Sequence, residues 1–114
     1  MRPQSAKGKG RAAQQEVRDM LLAASPFLYP DDIKSTSMGA GGEDILLSPA
    51  ARKMYPWAIE VKHKKSIAAC RFMDQAREHA GSHNYRPVAF FRENRGKWYA
   101  CIEADYLMEL MKQI

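Results

Sequence analysis

The stretch Trp57-Ala58-Ile59-Glu60-Val61-Lys62 narrows the fold more than any other part of the chain. Its aromatic and β-branched residues read as a strand closed by basic residues. Strand side chains alternate between faces, so Trp57, Ile59 and Val61 point one way while Ala58, Glu60 and Lys62 point the other. A carboxylate and an ammonium therefore stand side by side on one face of a largely apolar strand.

The neighbouring segments supply an α/β setting. Asp44-Ile45-Leu46-Leu47 is a short apolar run closed by Ser48-Pro49, and with 57–62 it suggests a hairpin with a loop around residues 48–56. Pro87 to Phe91 and Trp98 to Ile102 flank the turn Glu93-Asn94-Arg95-Gly96-Lys97, a second strand pair. Helical spacing runs from Arg11 to Ala24 through Ala13, Val17, Met20 and Leu21, and Ser25-Pro26 ends it. A second helix over 67–80, capped by Ser66 and stopped by Gly81, places Ala69, Phe72, Met73, Ala76 and Ala80 on one face. A third runs from Asp105 to Gln113 through Tyr106, Leu107, Leu110 and Met111. Residues 27–42 read as an irregular connection with room for a short strand. The order α-β-β-α-β-β-α implies a mixed central β-sheet flanked by helices.

At 114 residues the chain is one domain's worth. Residues 1–10 read as a flexible basic arm, with Arg2, Lys7 and Lys9, no acid, and helix-weakening Gly8 and Gly10; residues 11–114 form the single domain. Hydrophobic residues at 46% and charged residues at 27% exclude a disordered or fibrous chain. No apolar run is long enough to span a bilayer, and the N-terminal segment lacks the apolar stretch of a signal peptide, so the cytoplasm is the expected compartment. Cys70 and Cys101, far apart and without CxxC spacing, read as reduced core residues. Eighteen Lys and Arg against thirteen Asp and Glu give a formal charge of +5, which favours a polyanionic partner.

Fifteen residues separate Asp44 from Glu60, and a hairpin of that length brings the two carboxylates around one divalent cation. Hard, oxygen-liganded Mg²⁺, or Mn²⁺ in its place, suits such a pair and keeps waters for substrate oxygens. A bound water then serves as nucleophile, with Lys62 orienting it or stabilising the charge at phosphorus.

Glu43-Asp44 followed by Ile59-Glu60-Val61-Lys62 resembles the PD-(D/E)xK nuclease superfamily, with Glu43 in the first position of its PD motif. Lys7-Gly8-Lys9-Gly10, the Ser37-x-Gly39-x-Gly41-Gly42 stretch and the small size further resemble archaeal-type and phage Holliday-junction resolvases. The resemblance implies a restriction-endonuclease-like core and a Mg²⁺-dependent endonuclease that acts as a homodimer on branched DNA such as a four-way junction. A phage-encoded protein of that kind would work in the cytoplasm of a bacterial host. Asp44, Glu60 and Lys62 would be catalytic, with Glu16 on the first helix as a further acid. The metal would take Asp44, Glu60, the backbone carbonyl of Val61 and Glu16. Ser37 would be the serine near the catalytic loop, with Thr36 and Ser35 as alternatives, and Gln75 the glutamine that some relatives carry on the helix after ExK; His79 stands where a tyrosine often follows.

An ExK triplet alone commonly reports a solvated, salt-bridged face. Its combination with a preceding Gly-Gly-x-Asp-Ile strand and a helical glutamate favours function. For Glu16 a solvated helix carboxylate is the equal alternative. Lys7, Lys9, Arg11, Arg52, Lys53, Lys64 and Lys65 read as candidate phosphate contacts, the last four clustering at the ends of the proposed hairpin. His79 and His83 read as surface histidines, because Gly81 interrupts the helix and no third zinc ligand is near. A non-catalytic nucleic-acid-binding module and a nuclease of other DNA specificity are the competing readings.

Overall fold

The computed structural model describes residues 6–36 and 43–113. The chain runs through α1 (Ala6–Ala23), a 3-10 turn (Pro30–Asp32), β1 (Ile33–Ser35), β2 (Ile45–Leu47), α2 (Pro49–Met54) and β3 (Trp57–Lys64). It continues through α3 (Ala69–Ala80), β4 (Arg86–Glu93), β5 (Tyr99–Ile102) and α4 (Ala104–Lys112). The expected α/β class with helices flanking mixed strands is present.

The main sheet has the order β3-β4-β5. β3 and β4 are parallel, from Trp57 opposite Arg86 to Lys64 opposite Glu93. β5 returns antiparallel to β4, with Val88 opposite Ile102 and Phe91 opposite Tyr99, after a turn in which Arg95 takes a left-handed φ of 63°. A parallel pair requires a crossover connection, and α3 is that crossover. It packs on β3 and β4 from one side while α1 packs on β3 and β1 from the other.

The hairpin expected between 44–47 and 57–62 does not form. β2 pairs antiparallel with β1 in a separate two-stranded sheet, Ile33 opposite Leu47 and Ser35 opposite Ile45. The intervening loop is instead largely helical. Ser48 accepts the Ala51 N–H at 3.1 Å and Pro49 occupies the first helical position, a cap and starter that at sequence level look like a strand terminator. Ser48 also donates to Asp32 Oδ1 at 2.7 Å, tying α2 to the 3-10 turn. This bond, with the Tyr29 N–H, holds the Asp32 carboxyl below its usual range.

Other boundaries move for physical reasons. Residues 6–10, assigned to the arm, belong to α1, because Ala13, Val17 and Leu21 are buried and packing lets the helix propagate through its two glycines. α3 starts at Ala69 with no side-chain cap, so Ser66 does not cap it. Met73 is buried, whereas Met20 and Met111, also placed at core positions, are exposed; Tyr106 anchors α4. Cys70 is exposed and Cys101 half-buried, both as free thiols, so Cys70 is not the core residue expected.

One core cluster joins Ala13, Val17 and Leu21 of α1 to Ile33, Ile45, Ile59 and Val61; the other joins Phe72 and Met73 of α3 to Ala89. The two faces of β3 are thus packed by different helices, Ile59 and Val61 under α1, Glu60 and Lys62 under α3. No helix among the described residues is long and apolar enough to cross a membrane. Ile59 is fully buried in the larger cluster, so Ile59→Ala is expected to lower unfolding free energy by about 2–5 kcal/mol in urea titration.

Candidate active site

β3 is an edge strand of its sheet, and residue 44 closes that edge. The Asp44 N–H donates to the Ile59 carbonyl at 3.1 Å, and its carboxylate Oδ2 accepts the Val61 N–H at 2.8 Å. One residue thereby satisfies two backbone groups that a further strand would otherwise pair. N–H and C=O of one residue leave a strand on the same side, so the Val61 carbonyl also faces this edge. Thr36 holds Asp44 from behind, its N–H and hydroxyl both donating to the Asp44 carbonyl at 3.0 and 3.2 Å.

Glu60 rises from β3 beneath α3 with its side chain 4% exposed. Lys62 Nζ lies 3.0 Å from Oε1, and His79 Nδ1 lies 3.2 Å from Oε2. The latter contact lacks hydrogen-bond geometry, so Oε2 and Nδ1 are both buried without a hydrogen-bond partner. Lys62 also approaches the face of Phe72, 6.0 Å from its ring centroid.

Burial pushes the Asp44 carboxyl above its ordinary range, against the opposing pull of the Val61 N–H, Lys62 and His79. Glu60 is raised by burial and then by the Asp44 charge, with Lys62 and His79 opposing. A half-buried and a buried carboxylate that repel each other, with the Glu60 oxygen beside His79 left without a hydrogen bond, make a site that favours a cation. Asp44, Glu60 and the Val61 carbonyl are oxygen donors of the type Mg²⁺ or Mn²⁺ takes, waters completing the shell.

Of the residues expected here, the structure brings together Asp44, Glu60, Lys62 and Val61. Glu16 is exposed on α1 and exerts its field on His63, which points to the opposite face of β3 from Glu60. Among the described residues no three His, Cys, Asp or Glu side chains gather as a metal-binding group. Gln75 lies beside Lys62 with its Oε1 buried and unpaired.

Arg52 is already occupied: it donates to the Trp57 carbonyl at 3.1 Å, pairs with Glu43 at 3.2 Å and lies 3.8 Å over the Tyr85 ring. Lys9 donates to Asn94 Oδ1, and Lys7 lies within α1. Arg11, Lys53, Lys64 and Lys65 are exposed. Ser37, Gly39, Gly41 and Gly42 lie outside the described residues, while Ser35 accepts a hydrogen bond from Gln15 Nε2.

His79 is the residue the sequence reading missed. The sequence reads it as a surface histidine like His83, yet only His83 is exposed, stacked on Tyr85. The signal was helical spacing, since His79 follows Phe72 by seven residues and Gln75 by four, on the face that meets β3.

Comparison with protein-family models, curated proteins and solved structures finds no match to this chain.

Raised carboxyls bind protons more tightly in the folded than in the unfolded chain. Their contribution to stability is therefore present at low pH and lost as pH climbs from the ordinary values of 3.8 and 4.5 through the raised ones. At neutral pH in EDTA, Asp44→Asn is expected to have a higher Tm than the wild type. Added Mg²⁺ should raise the wild-type Tm and leave that of Asp44→Asn nearly unmoved; equal responses in both would remove Asp44 from a cation site.

Proposed function

We propose that this chain is a metal-dependent endonuclease that hydrolyses phosphodiester bonds in DNA, acting as a homodimer on four-way junctions. The reading rests on the convergence of half-buried Asp44 and buried Glu60 at the edge of β3, both raised in pKa, with Lys62 paired to Glu60. A mutually repelling acid pair with an adjacent lysine is costly unless a cation and an anionic substrate relieve it. The sequence resemblance to PD-(D/E)xK nucleases and the formal charge of +5 point to DNA as that substrate.

Mg²⁺ held by Asp44, Glu60 and the Val61 carbonyl would supply charge to the phosphoryl oxygens and lower the pKa of a coordinated water. Lys62, drawn to Glu60 in the protein alone, is placed to turn its ammonium to the attacking water or to a non-bridging phosphate oxygen. Asp44 is kept oriented by the Val61 N–H. His79, against the far oxygen of Glu60, limits the directions that carboxylate can take.

The test is cleavage of labelled four-way junction, linear duplex and single strand, with Mg²⁺, Mn²⁺ or EDTA. Asp44→Asn and Glu60→Gln are expected to lose metal-dependent cutting, and Lys62→Ala to lose about 10²–10³-fold in rate, all with native circular dichroism. Glu16→Gln should cut at near wild-type rate, since its carboxylate faces His63. Symmetric cutting confined to the junction supports the resolvase; equal cutting of duplex gives a nuclease of broader specificity. Binding without any metal-dependent cutting turns the reading to a nucleic-acid-binding module.

A further inference from the structure

A small cavity of about 230 Å³ opens where the end of β3 meets the first turns of α3. Lys62, Lys64, Ser66, Arg71 and Gln75 line it around the ring of Phe72. It is smaller than the roughly 300–1,000 Å³ typical of pockets for drug-sized molecules, so a compact group suits it better than a base or a cofactor.

Its cations are placed differently from the paired arginines of this molecule. Arg18, Arg52, Arg77 and Arg86 each sit within 4 Å of an acid. Lys64 and Arg71 have no acidic partner among the described residues, yet they share the cavity with the ammonium of Lys62. Lys64 and Arg71 have no counter-charge among the described residues and Lys62 shares one carboxylate, so an anion entering among them is attracted by all three. Gln75 adds a carboxamide whose Oε1 is buried and without a hydrogen-bond partner. A half-turn about its last bond would present Nε2 donors instead. Ser66 adds a hydroxyl at the rim.

The cavity also adjoins the carboxylate pair, because Lys62 belongs to both: its Nζ is 3.0 Å from Glu60 and its side chain forms part of the cavity wall. We propose that the cavity holds a backbone phosphate of the bound DNA strand, next along the chain to the phosphate set at Asp44 and Glu60. Arg71 and Lys64 supply the charge, and Gln75 and Ser66 supply hydrogen bonds. That neighbouring position rests on the nuclease reading; occupation by a phosphodiester does not.

The experiment is run in EDTA, where cutting plays no part. Inorganic phosphate is titrated into wild type, the Lys64→Ala/Arg71→Ala double variant and the charge control Lys112→Ala, following the side-chain amide resonances of Gln75. DNA affinity is then measured by anisotropy across a salt series. Lys64, Arg71 and Lys112 are all exposed, so the fold is not at stake.

Phosphate should shift the Gln75 resonances saturably in the wild type and in Lys112→Ala, and not in the double variant. The slope of log affinity against log salt should become shallower by about 0.9 per lost phosphate contact on duplex in the double variant relative to the control. Equal Gln75 shifts in all three proteins, or equal DNA affinity and slope in the double variant and the control, would overturn the proposal. Phosphate binding that depends on Lys64 and Arg71 while DNA binding does not would assign the cavity to a small phosphorylated molecule and likewise overturn it. A protein that shows the expected shifts and slope but never cuts DNA would fail as a nuclease and keep its phosphate cavity.

Discussion

Asp44 carries the connection on which the remainder of the site depends. An edge strand has a row of unpaired backbone groups, and β3 meets that condition with a single residue where a strand would otherwise lie. A carboxylate accepting a backbone N–H is a charge-assisted bond worth roughly 1.5–3 kcal/mol. Here it attaches the small β1–β2 sheet to the large one. The same carboxylate lies beside Glu60, and each acts on the other's charge. Position and chemistry are thus set by one contact.

The sequence disclosed the parts of the molecule that local periodicity controls. The alternation along 57–62, the turn at 93–97 and the apolar face of α3 are near-neighbour patterns, and the corresponding elements are present. Strand partners are long-range choices. The apolar run 45–47 is equally suited to β1 or β3, and the Ser48 and Pro49 cap that starts α2 draws it to β1. Asp44 and Glu60 still meet, through one residue's bonds in place of a ladder. Glu16 shows the limit of local pattern: helical spacing indicates which residues of α1 face the core, but not which side of β3 α1 covers. His79 fell between these cases, visible in spacing and obscured by the nearby glycine.

The charges of the site are divided by depth. Glu60 is buried and Asp44 half-buried, where water screens them less, and the cations of Lys64 and Arg71 lie further out at the end of β3. In the nuclease reading proposed above, a polyanion approaching from outside would meet positive charge first, and its phosphates would then come against an acidic centre that repels anions until a cation is bound. Arg52 stands apart from this gradient. Its bonds to the Trp57 carbonyl and Glu43 tie the entry of β3 to the residue immediately before Asp44.

The parallel pairing of β3 with β4 has a further bearing on how the molecule is completed. Such a pair needs a crossover connection, and in this chain the crossover helix lies over Glu60 and brings His79 to it. Burial of Glu60 therefore depends on that crossover, and in the unfolded chain both carboxylates lie in water, apart and weak for cations. Ion affinity would arise together with the native topology, so that the ion acts as a ligand of the finished fold and has little hold on its precursors.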